Sequence, residues 1–160
     1  MKKAIIIVVI IIAFANLSCR DAFEPSTRGN PGSGNRILVG GSSNEFLDSV
    51  VETIIAKLED IAYIEVVSPG KLRRADYSEY DAVIVTGEVQ AWMFFNRTVR
   101  KAAKRIDDPG KLIVILTAGD PDYEWEPGSG ITAITSATPE NPDPKVVIEE
   151  VSSRLEKLLN

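Results

Sequence analysis

The sequence predicts an α/β protein in which a parallel sheet is covered by helices on both faces. Short runs of β-branched and aliphatic residues alternate with stretches of helical periodicity. Strands that are apolar along their whole length belong inside a parallel sheet, because both of their faces are buried. Apolar residues make up 44% of the chain and charged residues 26%, a composition that supports one small packed domain.

Five strands are predicted, and consecutive strands are expected to run parallel because helical segments separate them. The strands occupy residues 36–40, 62–67, 81–86, 111–117 and 131–136. The fourth is the clearest buried strand, since its central residues Leu-Ile-Val-Ile-Leu leave no polar face.

The first predicted helix follows the first strand and covers residues 46–58. Its apolar residues recur at helical spacing, which predicts one buried face. Ser42 and Glu45 have the spacing of a capping box, in which each side chain satisfies a backbone N–H of the first turn. We therefore expect the helix to begin directly after this pair.

Two further helices are predicted later in the chain. One covers residues 92–106, and the other covers 144–159 with Asp143 as its cap and Pro144 at its first position. The inner face of the earlier helix is predicted to carry Val99, Ala102, Ala103 and Ile106. The links at 68–80 and 118–130 lack a strong helical pattern, so their helices are expected to be reduced.

Two local stretches carry a resemblance to a known fold. Residues 36–44 form a strand that leads into a small loop with two hydroxyls, and residues 78–87 place a tyrosine-aspartate pair before a strand that ends in glycine. Together with the element order they resemble the flavodoxin-like fold. The resemblance implies a three-layer α/β/α domain over residues 36–160, with a five-stranded parallel sheet in spatial order 2-1-3-4-5. It also implies a ligand crevice at the carboxyl ends of strands 1 and 3.

The resemblance further implies flavin mononucleotide (FMN) as cofactor and electron transfer as activity. The flavin phosphate would lie in the loop after the first strand, the ring would stack on aromatic side chains, and backbone groups would contact its reactive edge. The residues at these positions are Gly41, Ser42, Ser43, Asn44, Thr86, Gly87, Trp92, Thr117, Gly119, Tyr123 and Trp125. The alternative is that the loop is a glycine turn with a helix cap and that the aromatic residues pack in the core, leaving no cofactor.

The N-terminus has the composition of an export signal. Lys2 and Lys3 precede an unbroken apolar run at 4–15, whose 12 residues are fewer than the roughly 20 needed to span a bilayer. Ser18 and Cys19 follow, and the stretch resembles a bacterial lipoprotein signal. The resemblance implies cleavage of residues 1–18 and lipidation of Cys19, which places the protein on the extracytoplasmic side of a cell-envelope membrane. Ordinary secretion after Ser18 and an uncleaved anchor are the alternatives.

Residues 19–35 are predicted to form a flexible tether, because Pro, Gly, Ser and Asn are frequent there. At the scaling of flexible chains such a tether reaches roughly 20 to 25 Å. A protein exported unfolded acquires its cofactor outside the cytoplasm, and residues 132–138 are similar to the acceptor motif of extracytoplasmic flavin transferases. That similarity implies covalent flavin at Thr138, whereas the alternative is a strand and its following turn.

Composition excludes several function classes. The chain contains no histidine, which excludes Ser-His-Asp hydrolysis and His-ligated zinc sites. Removing the signal shifts the formal charge from −5 to −7, and no Lys/Arg cluster stands out, so nucleic-acid binding is not expected. The alternating acids at 120–126 are predicted to be a solvated loop rather than a metal site. The sequence thus favours a redox or other envelope protein as partner, with either FMN electron transfer or a cofactor-free binding module as the function.

Overall fold

The computed structural model describes residues 22–89, 97–118, 133–136 and 144–160. Within these ranges the strands are β1 (Ser26–Gly29), β2 (Arg36–Gly41), β3 (Tyr63–Val67), β4 (Ala82–Val89), β5 (Leu112–Ala118) and β6 (Ala133–Ser136). The α-helices are α1 (Glu45–Leu58), α2 (Pro69–Leu72), α3 (Arg97–Arg105) and α4 (Pro144–Leu159), and 3-10 turns lie at Tyr77–Glu79 and Pro109–Lys111.

The strands form one mixed sheet in the order β1-β3-β2-β4-β5-β6. Strands β2 to β6 are parallel to their neighbours, whereas β1 pairs antiparallel with β3. The predicted α/β class is therefore confirmed, and the five predicted strands lie in the expected spatial order. The prediction of an all-parallel, five-stranded sheet is wrong, because the chain adds a sixth strand at one edge.

The additional strand β1 lies within the segment that was predicted to be a flexible tether. Its residues pair with β3 from Ser26 opposite Val66 to Gly29 opposite Tyr63. Gly29 has φ of 83°, and a Cβ atom there would lie 2.1 Å from the carbonyl oxygen of Ala62. The glycine therefore serves the close approach of two backbones and does not mark a flexible linker.

The turn between β1 and β2 explains the remaining polar residues of this segment. The Asn30 N–H donates to the Ala62 carbonyl at 3.1 Å, and the Asn30 side-chain oxygen accepts from the Gly32 N–H at 2.9 Å. An Asn that bonds the backbone two residues on is a common turn device. Residues 30–35 thus form an ordered turn that leads into β2.

The sheet buries an apolar core on each face, because successive side chains of each strand point to opposite sides. On one face, Ile37, Val39 and Ile84 pack against helices α1 and α4. On the other face, Leu38 and Val83 pack against α2 and α3. The two faces are called the α1/α4 face and the α2/α3 face below.

The helices match much of the sequence prediction. The apolar face predicted for α1 is buried, and α4 begins at Pro144 as expected. Val99, Ala102 and Ile106 are buried on the inner side of α3. The described part of α3 begins at Arg97, and residues 92–96 and Asp143 lie outside the described residues.

The link between β3 and β4 contains one helical turn, α2, followed by a 3-10 turn, so the predicted reduced helix is confirmed there. Ser68 caps α2 and Pro69 occupies its first turn. The corresponding link between β5 and β6 lies outside the described residues. Among the described residues, no helix has the length and apolar character needed to cross a bilayer.

Candidate functional site at the carboxyl edge of the sheet

The loop after β2 is held against strand β4 by its backbone. Gly41 has φ of 135°, and a Cβ atom there would lie 2.1 Å from the Thr86 carbonyl oxygen. The Ser42 N–H donates to that carbonyl at 3.1 Å, and the Thr86 hydroxyl donates to the Ser42 carbonyl at 2.6 Å. Gly41 therefore allows two backbones to meet, and the N–H of Ser42 is used within the fold.

Helix α1 begins with a cap that differs from the predicted one. Asn44 has extended backbone dihedral angles, and its side-chain oxygen accepts from the Leu47 N–H at 2.8 Å. The prediction that Ser42 and Glu45 form the capping box is wrong, because Ser42 is bonded to β4 instead. Asn is among the strongest cap residues, so its position directly before the helix was the signal that the capping-box interpretation missed.

The other polar side chains of this loop bond to carboxylates. The Ser43 hydroxyl donates to Asp48 Oδ1 at 2.6 Å, and the Asn44 amide nitrogen donates to Glu88 Oε1. Glu45 and Asp48 occupy the first turn of α1. Three carboxylates thus surround the N-terminus of α1, where they complement the positive end of the helix dipole.

Three donors of this loop are in use within the fold, and nearby carboxylates disfavour a flavin phosphate. A phosphate at a helix N-terminus needs backbone N–H groups and hydroxyls that point at the anion. The Ser42 N–H, the Ser43 hydroxyl and the Asn44 amide all donate to protein oxygens. The neighbouring carboxylates of Asp48 and Glu88 would also repel a second anion. The role of Gly41, Ser42, Ser43 and Asn44 supported by these contacts is to join β2, β4 and α1.

The remaining predicted site residues divide into two groups. Thr86, Gly87 and Thr117 lie near the carboxyl ends of adjacent strands, with Glu88 of β4 opposite Thr117 of β5. Thr86 is only 1% exposed, so its side chain is part of the core. The other group lies outside the described residues and comprises Cys19, Trp92, Gly119, Tyr123, Trp125 and Thr138.

The segment that precedes β1 also reaches this edge of the sheet, which the sequence did not indicate. Ala22 forms an isolated antiparallel bridge with Ser42, and Phe23 packs against the core of the α1/α4 face. A groove of about 380 Å³ lies between this segment and α1. Arg28 and Glu52 meet across it at 3.8 Å as an exposed ion pair. The described part of the chain therefore already contacts this end of the strands at Ala22.

A second polar cluster lies on the α2/α3 face, where the link between β3 and β4 lacks a long helix. The Glu65 side chain is 15% exposed and accepts from the Tyr80 hydroxyl at 2.7 Å and from the Lys71 ammonium. The bond from Lys71, followed by that from Tyr80, lowers the pKa of Glu65. The Arg36 guanidinium carbon lies 5.1 Å from the centroid of the Tyr80 ring and 6.0 Å from that of Tyr63. These groups satisfy one another, and they fill the space that a longer helix would cover.

Comparison with known proteins yields no match to any protein-family model and none to a curated protein. Among the described residues, no group of three or more Asp, Glu, His or Cys side chains is arranged to hold a metal ion.

Proposed function

We propose that this chain is a lipid-anchored protein of the cell envelope whose flavodoxin-like domain is a cofactor-free module for binding another envelope protein. The spatial order of the five parallel strands, with helices on both faces, supports the flavodoxin-like assignment. The signal-like N-terminus ending in Cys19 supports the anchor. Fold alone does not define function, so the proposal depends on the residues of the crevice.

The observation that carries the proposal is the set of bonds made by the loop at Gly41 to Asn44. In a flavin carrier this loop would present donors to a phosphate. In this chain three of its donors, the Ser42 N–H, the Ser43 hydroxyl and the Asn44 amide, bond to Thr86, Asp48 and Glu88. Freeing them for a ligand would break the bonds that join the loop to Thr86 and Glu88 of β4 and to Asp48 of α1. A loop that uses these donors within the fold suits a scaffold that presents its outer surface to a partner.

The test uses the full chain purified from membranes in mild detergent and titrated with FMN, with circular dichroism to verify folding. We expect no saturable quenching of tryptophan or flavin fluorescence at micromolar FMN. Saturable mutual quenching that is lost in Trp92→Ala would contradict the cofactor-free module and favour an electron carrier.

Intact mass of the same preparation tests the anchor and covalent flavin together. We expect the mass of a chain that begins at Cys19 and carries a diacylglycerol, without a flavin at Thr138. The Cys19→Ala variant should retain residues 1–18 and carry no lipid. An unlipidated wild-type chain that begins at Cys19 and is recovered from the extracytoplasmic soluble fraction instead of the membranes would leave secretion as the correct interpretation.

A further inference from the structure

The lysines and arginines of this acidic protein are concentrated in two segments. Residues 66–75 and helix α3 together hold eight of the 18 Lys and Arg residues and contain no Asp or Glu. The net charge of −5 conceals this concentration. The expectation that the chain has no Lys/Arg cluster is therefore wrong, because the two segments are separated in the sequence.

The fold places these two segments side by side. The Arg73 guanidinium donates to the Thr98 hydroxyl at 3.4 Å, near the start of α3. At the other end of the helix, the Arg105 guanidinium donates to the carbonyls of Arg73 and Ala75, the latter at 3.1 Å. Its carbon also lies 5.4 Å from the centroid of the Tyr77 ring. Carbonyl oxygens and a ring face orient a guanidinium without neutralising its charge.

The cations point outward because the opposite side of α3 is in the core. Val99 and Ala102 are buried, whereas Lys101, Lys104 and Arg105 are exposed. We define the basic face by six residues of the two segments, which are Arg73, Arg74, Arg100, Lys101, Lys104 and Arg105. The acidic residues nearest to it in sequence lie at its margins.

Those margins contain Asp76, Asp107 and Asp108. The pKa of Asp76 is lowered mainly by hydrogen bonds from Ser78, with a smaller contribution from Arg105. Across the sheet, α1 carries Glu45, Asp48 and Glu52 but a single lysine. Among the described helices, α3 carries five cations and no acid, whereas α1 and α4 on the opposite face together carry six acids and four cations.

We infer that the basic face is the docking surface for an acidic surface of a partner protein, an inference that rests on the proposed binding function. Charge complementarity of this kind speeds encounter and fixes orientation. Arginines supply planar donors that match carboxylates, while exposed lysines add charge. The apolar side of α3 is held in the core, so this helix cannot insert its apolar residues into a bilayer.

The position of the N-terminal segment favours a protein partner over the anchoring membrane itself. Ala22 bridges to Ser42, and Phe23 packs on the α1/α4 face, which is opposite the basic face. Three residue steps separate Cys19 from Ala22, a span of at most about 11 Å. Laying the basic face on the membrane would place the sheet and α3 between the lipid and this short connection.

The experiment measures binding of poly-L-glutamate to the full lipidated chain in phosphatidylcholine nanodiscs. The test variant is Lys101→Glu/Lys104→Glu, and the matched control is Lys57→Glu/Lys157→Glu, which makes the same charge change at exposed lysines of α1 and α4. We expect the test variant to weaken binding about tenfold and the control to change it less than about twofold. Binding to the wild-type chain should also weaken as salt rises.

Three results would overturn the inference. They are absence of saturable polyglutamate binding, equal weakening in both double variants, and tighter binding to phosphatidylglycerol vesicles that is lost in the test variant. The last would assign the face to anionic lipid. FMN binding by a chain that also binds polyglutamate through this face would contradict the cofactor-free module and leave the basic face intact, so the two proposals fail separately.

Discussion

Gly41 is the residue at which the loop geometry is most constrained. Its φ of 135° lies in a region that favours glycine, and its Cα faces the Thr86 carbonyl so closely that no side chain fits. The adjacent Gly40 has a related role, because a Cβ atom there would lie 2.8 Å from the Val67 carbonyl oxygen. Two consecutive glycines thus allow the backbone of β2 to lie close to β3 at Val67 and to β4 at Thr86.

Replacement of Gly41 by alanine should therefore destabilise the domain strongly. We expect Gly41→Ala to lower the free energy of unfolding by about 2 to 4 kcal/mol, since the methyl group meets backbone atoms at an unfavourable φ. Chemical denaturation followed by circular dichroism measures this change.

Gly34→Ala is the matched control, because nothing lies within 4 Å of a Cβ atom at that position. It should leave the free energy of unfolding within about 0.5 kcal/mol of the wild-type value. Equal effects of the two substitutions would show that the packing of Gly41 against Thr86 is not the constraint described.

At the scale of elements, the link between β3 and β4 replaces a helix with polar contacts. One turn of helix and a 3-10 turn cover the distance, and Tyr77 donates its hydroxyl to the Leu72 carbonyl at 2.8 Å. Beside them, Glu65 accepts from both Lys71 and Tyr80. Burial is the largest cause that raises the pKa of Tyr80, so its hydroxyl stays protonated and able to donate.

The Glu65 contacts predict a specific response to acid. Because the folded state lowers the pKa of Glu65, this group contributes its full stability above about pH 4.5 and loses it as pH falls through the lowered value. The free energy of unfolding should therefore fall more steeply below that pH in the wild-type chain than in Glu65→Gln. Denaturation over a series of pH values measures the two slopes.

Tyr80→Phe serves as the graded control, since it keeps the ring and removes one of the two donors to Glu65. Its slope should lie between those of the wild-type chain and Glu65→Gln. A wild-type slope in Glu65→Gln would contradict the assigned role of this carboxylate.

The sequence predicted those elements whose signal is local. The spacing of Val50, Ile54 and Leu58 predicted α1, and uninterrupted apolar runs predicted the parallel strands. Strand β1 was missed because its four residues, Ser-Thr-Arg-Gly, carry no apolar alternation and owe their structure to pairing with β3. The partners of Ser43 and Asn44 were missed for the same reason, since Glu88 is distant in sequence and only the sheet brings it near.

At the scale of the whole molecule, the N-terminal segment fixes where an anchor would join the domain. With Ala22 paired to Ser42, a lipid on Cys19 would hold the carboxyl edge of the sheet close to the membrane. The flexible tether expected from composition would have let the domain turn freely. With a lipid at Cys19, the observed pairing would instead give the domain a preferred orientation.

This orientation is testable in nanodiscs that contain a gadolinium-chelating lipid and the lipidated chain. Amide signals of Ser42 and Asn44, at the carboxyl ends of the strands, should broaden more than those of Asp108 and Lys111. The latter two directly precede β5, at the amino ends of the strands. A twelve-residue Gly-Ser insertion before Ala22 should reduce the difference, because it adds a flexible reach of roughly 20 Å. Equal broadening at both edges in the uninserted chain would contradict the preferred orientation.

Strand β1 also has a consequence for solubility. It covers the outer edge of β3, whose backbone groups would otherwise be open to pairing with another molecule. The residues that form this cover follow Cys19 by less than a dozen positions, so if that cysteine carries a lipid, one proteolytic cut after Gly29 would both release the domain and expose the edge of β3. Shed forms of the protein that begin after Gly29 should thus be prone to aggregation, whereas forms cut before Ala22 should remain dispersed.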